Sequence, residues 1–193
     1  ILLNLFFGVT VNAAMGIANQ VQTAVYSFVS NFQTAFNPQI VKSYVSGDRC
    51  YFIDLIMRTS KYSYFLLFAI SLPLYICCEE VLSLWLGEVP AHTVSFCRLM
   101  ILLSLLDALQ GPLWVSVQAT GKIRDYQILM SVMILANLPV SYLFLRIGYV
   151  PEVVLEIRCI LSILILWVRL WYLKRLYAFS IKRYLREVLG RVI

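Results

Sequence analysis

The sequence predicts an all-α fold, a polytopic bundle of transmembrane helices, and three observations predict it. Hydrophobic residues make up 61% of the chain and charged residues only 13%, with a mean hydropathy of +0.82, where a soluble domain carries about 25% charged residues. Residues 9–41 contain no charge at all. The charged connections alternate in sign along the chain, as the preference of Lys and Arg for the cytoplasmic side requires. A membrane β-barrel needs segments of about ten residues alternating in and out, and the apolar runs here are longer and more continuous.

Six hydrophobic stretches follow in order, near 1–8, 10–41, 62–78, 98–119, 127–146 and 153–173. The first, ILLNLFFG, has no basic region and no cleavage site, so it reads as the tail of a helix rather than a signal peptide. The second carries a polar stripe in steps of three, four and seven: Asn12, Gly16, Asn19, Gln20, Thr23, Ser27, Ser30, Asn31 and Thr34. That spacing places them on one helical face, with Ala14, Ile17, Val21, Val25, Phe28, Val29, Phe32 and Phe36 opposite. At about 1.5 Å per residue the stripe runs roughly 33 Å, the thickness of a bilayer's hydrocarbon. Each later stretch approaches the length of a membrane span, and Pro73, the pair Gly111-Pro112 and Pro139 are positioned to interrupt helical hydrogen bonding in three of them.

Between these stretches, 42–61 is net positive, 79–93 is acidic through Glu79, Glu80 and Glu88, 120–126 is net positive, and the loop near 146–152 is balanced. Arg169, Lys174, Arg175, Lys182, Arg183, Arg186 and Arg191 make the C-terminal end strongly basic. The expectation is therefore a six-helix membrane lobe over 1–178 with 42–61, 120–126 and the C-terminus cytoplasmic, followed by a basic amphipathic cytoplasmic tail over 179–193. Two segments, 48–61 and 179–192, place apolar residues on one face and read as helices lying on the membrane. The charge of +6 suits anionic lipid headgroups and gives no reason to expect nucleic acid.

Candidate functional residues are few. The stripe has two readings: an interface held by amides and small residues, or the wall of a cavity where neutral donors and acceptors meet sugar hydroxyls. Asp107 lies near the middle of 98–119 with Gln110 beside it and Trp114 one turn on. A carboxylate at that depth costs about 2.5–3.5 kcal/mol to insert, so it faces a cavity or a partner; it is either a protonatable group or a structural hydrogen-bonding one. The transport-path candidates are thus Asn12, Asn19, Gln20, Thr23, Ser27, Asn31, Thr34, Asp107 and Gln110. Five cysteines without ligand spacing and the single histidine His92 predict no metal site. No nucleophile elbow, zinc-protease or nucleotide-binding motif occurs, so neither a cofactor nor an enzyme activity is expected.

The run NLFFGVTVNAAMGIANQVQTAVYSFVSNFQTAFNPQIVKSYVSGD, followed by GPLWVSVQATGKIRDYQ and NLPVSYLFL, resembles the polysaccharide flippases of the multidrug/oligosaccharidyl-lipid/polysaccharide exporter superfamily, especially the O-antigen (Wzx-like) transporters of bacterial lipopolysaccharide biosynthesis. The resemblance covers essentially the whole chain but only the second half of such a protein. It implies a MATE-like C-terminal lobe, with residues 1–8 ending the seventh helix and the rest forming helices eight to twelve. It further implies a bacterial inner-membrane location, an undecaprenyl-pyrophosphate-linked oligosaccharide as substrate, and as partners the bilayer, an N-terminal lobe and other polysaccharide-assembly proteins. The family pattern often places an arginine where this chain has Met15, so no charged substrate contact carries over to that position. A cation-coupled small-molecule antiporter of the same fold, a membrane-embedded glycan-assembly enzyme and a purely structural membrane partner are the alternatives.

Overall fold

The computed structural model describes residues 2–121, 123–177 and 179–189. The described residues form helices and turns: α1 (Leu2–Phe7), α2 (Val9–Val45), α3 (Arg49–Ile76), α4 (Cys78–Leu86), α5 (Thr93–Gln118), α6 (Arg124–Ile147), α7 (Val153–Tyr177) and α8 (Ile181–Tyr184), the last running into a π-helical turn over Leu185–Leu189. The all-α expectation is met among the described residues; α2, α5, α6 and α7 follow four of the long hydrophobic stretches, while the stretch 62–78 is the second half of α3 and runs across its end at Cys77.

Gly8, at φ 83°, separates α1 from α2, a conformation open to glycine because it lacks a Cβ. Its N–H still donates to Asn4 O at 3.2 Å, so α1 turns without leaving a buried orphan donor. From Val9 onward no glycine sits in a positive-φ position until Gly47, and α2 continues for 37 residues.

α5 is the central element: α2, α3 and α7 pack on it, and α6 is held against α7. Its apolar residues are spread around the helix, so most of its surface has to be covered by neighbours. α6 is the opposite case, exposing Ile128, Val132, Leu135, Leu138 and Leu143. Among the described residues two helices are long and apolar enough to cross a membrane, Thr93–Gln118 and Arg124–Ile147, and a third span results if α3 and α4 are counted as one broken element. α2 falls short because of its amide stripe, and α7 because Glu156, Arg158, Arg169, Lys174 and Arg175 interrupt its apolar run.

Four expectations about local structure change. Residues 48–61 do not form a separate surface helix; they are the first half of α3. Asp48 caps it by accepting from Tyr51 N at 3.0 Å, no Gly or Pro interrupts it before Pro73, and Phe52, Leu55 and Ile56 are buried in protein rather than laid on lipid. The acidic 79–93 connection is half helical, α4 leaving α3 at an angle of 73°. The break falls at Cys77, four residues after Pro73, where the backbone leaves helical geometry at φ −91° and ψ 27°. Pro73, Gly111-Pro112 and Pro139 all lie within continuous helices.

The fourth change concerns the tail. Phe179, Tyr184 and Val188, the apolar face expected to lie on the membrane, are buried against Phe52, Leu109, Leu113, Leu170 and Leu173. Tyr44, Phe52 and Tyr177 pack beside them in tilted and edge-to-face arrangements with ring centroids 5.2–5.8 Å apart. A protein partner of matching shape removes these side chains from water as well as lipid does and adds packing contacts. Lys182, Arg183 and Arg186 stay exposed; residues 190–193, together with Ile1, Lys122 and Ala178, lie outside the described set.

Arg183 links the tail to α3 through Asp54 at 2.8 Å and closes an i,i+4 pair with Glu187 at 2.9 Å. Both pairs are exposed, and such pairs contribute under about 1 kcal/mol. Arg183→Gln is therefore expected to leave the tail docked: chymotryptic cleavage after Tyr184 should stay as slow as in the unmodified chain, whereas rapid cleavage would show that charge, not burial, holds the tail. At the far end of the bundle His92 Nδ1 and Glu152 Oε1 lie 2.6 Å apart, joining the α4–α5 and α6–α7 connections. The connections that the charge pattern assigned to one side thus share one end of the molecule, and the tail with the α2–α3 connection shares the other.

Candidate functional site

Helix α2 is divided sharply. Ala14, Ala18, Val25, Val29 and Ile40 are buried, while every candidate on the stripe, Asn12, Asn19, Gln20, Thr23, Ser27, Asn31 and Thr34, is exposed. Among the described residues no helix covers these side chains. Its hydroxyls fold back on the helix itself: Thr23 Oγ1 donates to Asn19 O, Ser27 Oγ to Ala24 O, and Thr34 Oγ1 to Ser30 O, at 2.7–2.8 Å. The side-chain amides of Asn12, Asn19, Gln20 and Asn31 have no hydrogen-bond partner among the described residues, so they remain available to a ligand, to water or to another surface.

Tyr26 borders the stripe, three residues from Thr23 and four from Ser30, and also lines a cleft of about 360 Å³ with Asp107, Gln110, Gly111, Trp114, Gln127 and Arg169. Behind it a cavity of about 230 Å³ shares Asp107, Gln110 and Arg169 and adds Asn137, Arg158 and Ser162. The structure thus brings Asp107 and Gln110 together and sets them beside the stripe, with α2, α5, α6 and α7 all contributing. Asp107 is the carboxylate in a space that two guanidiniums, Arg158 and Arg169, also enter.

Gln110 is less free than its position in sequence suggests. Its Nε2 donates to Ser162 Oγ at 2.8 Å and to Ser162 O at 3.3 Å, tying α5 to α7. Arg169 Nη1 donates to Gln110 O at 2.7 Å, and its guanidinium lies 6.0 Å from the Trp114 ring and 5.9 Å from that of Tyr126. Charge counting had placed Arg169 with the basic tail. In the fold it points inward, held by aromatic faces that favour a cation.

One pair escaped the sequence reading altogether. Gln33, on the buried side of α2, donates through Nε2 to Ala108 O at 2.9 Å. Ala108 O is the carbonyl that the residue at 112 would serve in a regular helix, and that residue is Pro112, which has no N–H. The Gln33 amide replaces the missing donor. It reaches the carbonyl only because position 111 is glycine: a Cβ there would overlap the Gln33 side-chain amide. Gln33, Gly111 and Pro112 therefore form one lock that fixes α2 against α5 next to the cleft.

Together these groups offer uncommitted amides along α2, then a carboxylate, two guanidiniums and aromatic faces across the cleft and the adjoining cavity. This is chemistry for reversible binding of a hydroxyl-rich or charged solute. No family model, no curated protein and no solved structure matches the chain.

Proposed function

We propose that the chain is one lobe of a membrane transporter that moves a lipid-linked oligosaccharide of the undecaprenyl-pyrophosphate type across the bacterial inner membrane, for lipopolysaccharide, capsule or exopolysaccharide assembly. The observation that carries this reading is the stripe: a bilayer-long row of polar side chains left uncovered by the rest of the chain. Lipid is a poor neighbour for unpaired amides, and α6 and α7 already supply apolar faces for it. The stripe then faces water, glycan or a second lobe across a central path. On this reading α1, α2, α3, α5, α6 and α7 are six membrane helices, the tail is cytoplasmic, and the lobes rock to alternate access. The glycan contacts the stripe, its lipid stays in the bilayer, and Asp107 is the protonatable coupling group. No covalent step is needed.

A second reading, a cation-coupled small-molecule antiporter of the same architecture, is favoured by the size of the cleft. The cleft of 360 Å³ lies at the lower edge of small-ligand pockets, roughly 300–1,000 Å³, and the adjoining space of 230 Å³ falls below it.

The test is the leaflet position of lipid-linked oligosaccharide in a flippase-deficient strain carrying the full-length protein. Surface exposure of the glycan is expected only when the protein is present, and exposure without it rejects the flippase reading. In the same assay Asp107→Asn is expected to flatten the dependence on external pH; an unchanged pH profile removes Asp107 as the coupling group. Ion-driven efflux of small cations with no effect on the glycan would establish the antiporter instead.

A further inference from the structure

Away from the cleft, at the end of the bundle where the tail docks, α3 and the tail enclose a space of about 430 Å³ lined by Asp54, Arg58, Lys61, Tyr62, Arg183 and Glu187. Its charges are unevenly committed. Arg183 holds both acids, Asp54 at 2.8 Å and Glu187 at 2.9 Å. Arg58 and Lys61 have no ion-pair partner among the described residues; Lys61 Nζ only leans over the Phe65 ring at 5.9 Å. Arg183 offsets only one of the two acids, so with Arg58 and Lys61 the lining carries a net charge of +1, and the two unpaired cations make a receptor for a singly charged anion.

The surface below that space identifies the anion's carrier. Lys61, Phe65, Phe68, Leu72 and Ile76 follow steps of three or four along α3 and therefore share one face. The four apolar residues after Lys61 are all exposed, Ile76 by 63%. From Lys61 to Ile76 this track is about 22 Å long at 1.5 Å per residue, on the scale of one bilayer leaflet. The opposite face of α3, with Ser60, Ser63, Leu67 and Ser71, is buried in the bundle. A cationic socket at the head of a leaflet-long apolar track matches an amphiphile with a phosphate at one end and acyl chains along the other. Ordinary snorkelling of Lys and Arg does not account for the second wall, which the docked tail builds from Arg183 and Glu187.

We infer that the α3–tail space is a binding site for the headgroup of an anionic phospholipid, with Arg58 and Lys61 holding the phosphodiester and Phe65, Phe68, Leu72 and Ile76 lining an acyl chain. The bound lipid sits against the docked tail.

The experiment is native mass spectrometry of the full chain released from detergent, titrated with dioleoylphosphatidylglycerol and, separately, dioleoylphosphatidylcholine. The phosphatidylglycerol adduct is expected to bind preferentially and to weaken roughly thirtyfold in Arg58→Gln/Lys61→Gln, each basic side chain being worth a factor of about five at an anionic surface. Lys174→Gln/Arg175→Gln, which removes equal charge outside the space, is expected to keep the adduct. Phe68→Asn/Leu72→Asn leaves the cations untouched and is expected to weaken the adduct through the track alone. Unchanged binding in Arg58→Gln/Lys61→Gln, equal loss in the Lys174/Arg175 variant, or equal binding of phosphatidylcholine overturns the site. Displacement of the lipid by millimolar inorganic phosphate, with no effect of the track variant, overturns its assignment to a lipid.

Discussion

Replacing Asn19, Thr23 and Asn31 together by leucine is expected to cut transport about a hundredfold while leaving the amount of protein in the membrane unchanged. The three side chains are exposed and none bonds to another helix, so their removal leaves no buried partner unsatisfied within this chain. Leucine is also the better helix former and the better neighbour for lipid. What disappears is a set of contacts to whatever occupies the path. At about 1 kcal/mol for each hydrogen bond, three losses amount to about two orders of magnitude in the rate of a step that depends on them. Glycan transport measured at matched expression checks this. Unaltered transport rejects the cavity reading of the stripe, and loss of the protein from the membrane would instead mark the stripe as an interface needed for assembly.

The second large effect is expected at the lock between α2 and α5. Gln33→Leu should lower the free energy of unfolding by about 1–3 kcal/mol, the cost of leaving a buried carbonyl without its donor. In a Pro112→Ala background the same substitution should cost less than half as much. Alanine at 112 carries the N–H that Pro112 lacks, and Ala108 O lies one helical turn before it, so the helix then serves the carbonyl itself. The coupling is read from a double-mutant cycle by unfolding in mixed micelles. Equal costs in the two backgrounds would mean that the contact at 2.9 Å stabilises by packing and not by replacing the missing donor.

Periodicity reported what it physically can. Residue spacing along α2 determines which side chains share a face, so the division into a stripe and an apolar side was legible before any coordinates. The positions of α5 and α6 were legible too, because an apolar run of sufficient length has few other solutions. What spacing does not encode is the identity of the neighbour. The apolar faces of residues 48–61 and of the tail pattern equally well for lipid or for protein, and protein covers them here. Arg169 lies on the same helix as Lys174 and Arg175, and a count of charges carries no direction around that helix. Gln33 was illegible for a further reason: its role is defined by a hydrogen-bond donor absent 79 positions later in the numbering, at Pro112. The cleft likewise requires Tyr26, Asp107, Gln127 and Arg169 to converge from four helices, a property of packing alone.

The bend of 73° between α3 and α4 has a mechanical consequence. With α3 upright in a bilayer, α4 lies nearly flat along its surface, presenting Leu84, exposed by 90%, and Trp85, exposed by 54%. An indole and an aliphatic side chain on a flat-lying helix rest at the headgroup boundary, where Trp is enriched, and resist being pushed inward or pulled out. On the membrane reading proposed above, α4 would work as a float and the basic rim at the tail end as its keel. Held at both surfaces, the bundle would have a fixed draught: free to tilt and rotate, but unable to slide along the membrane normal without immersing one rim or stranding the other.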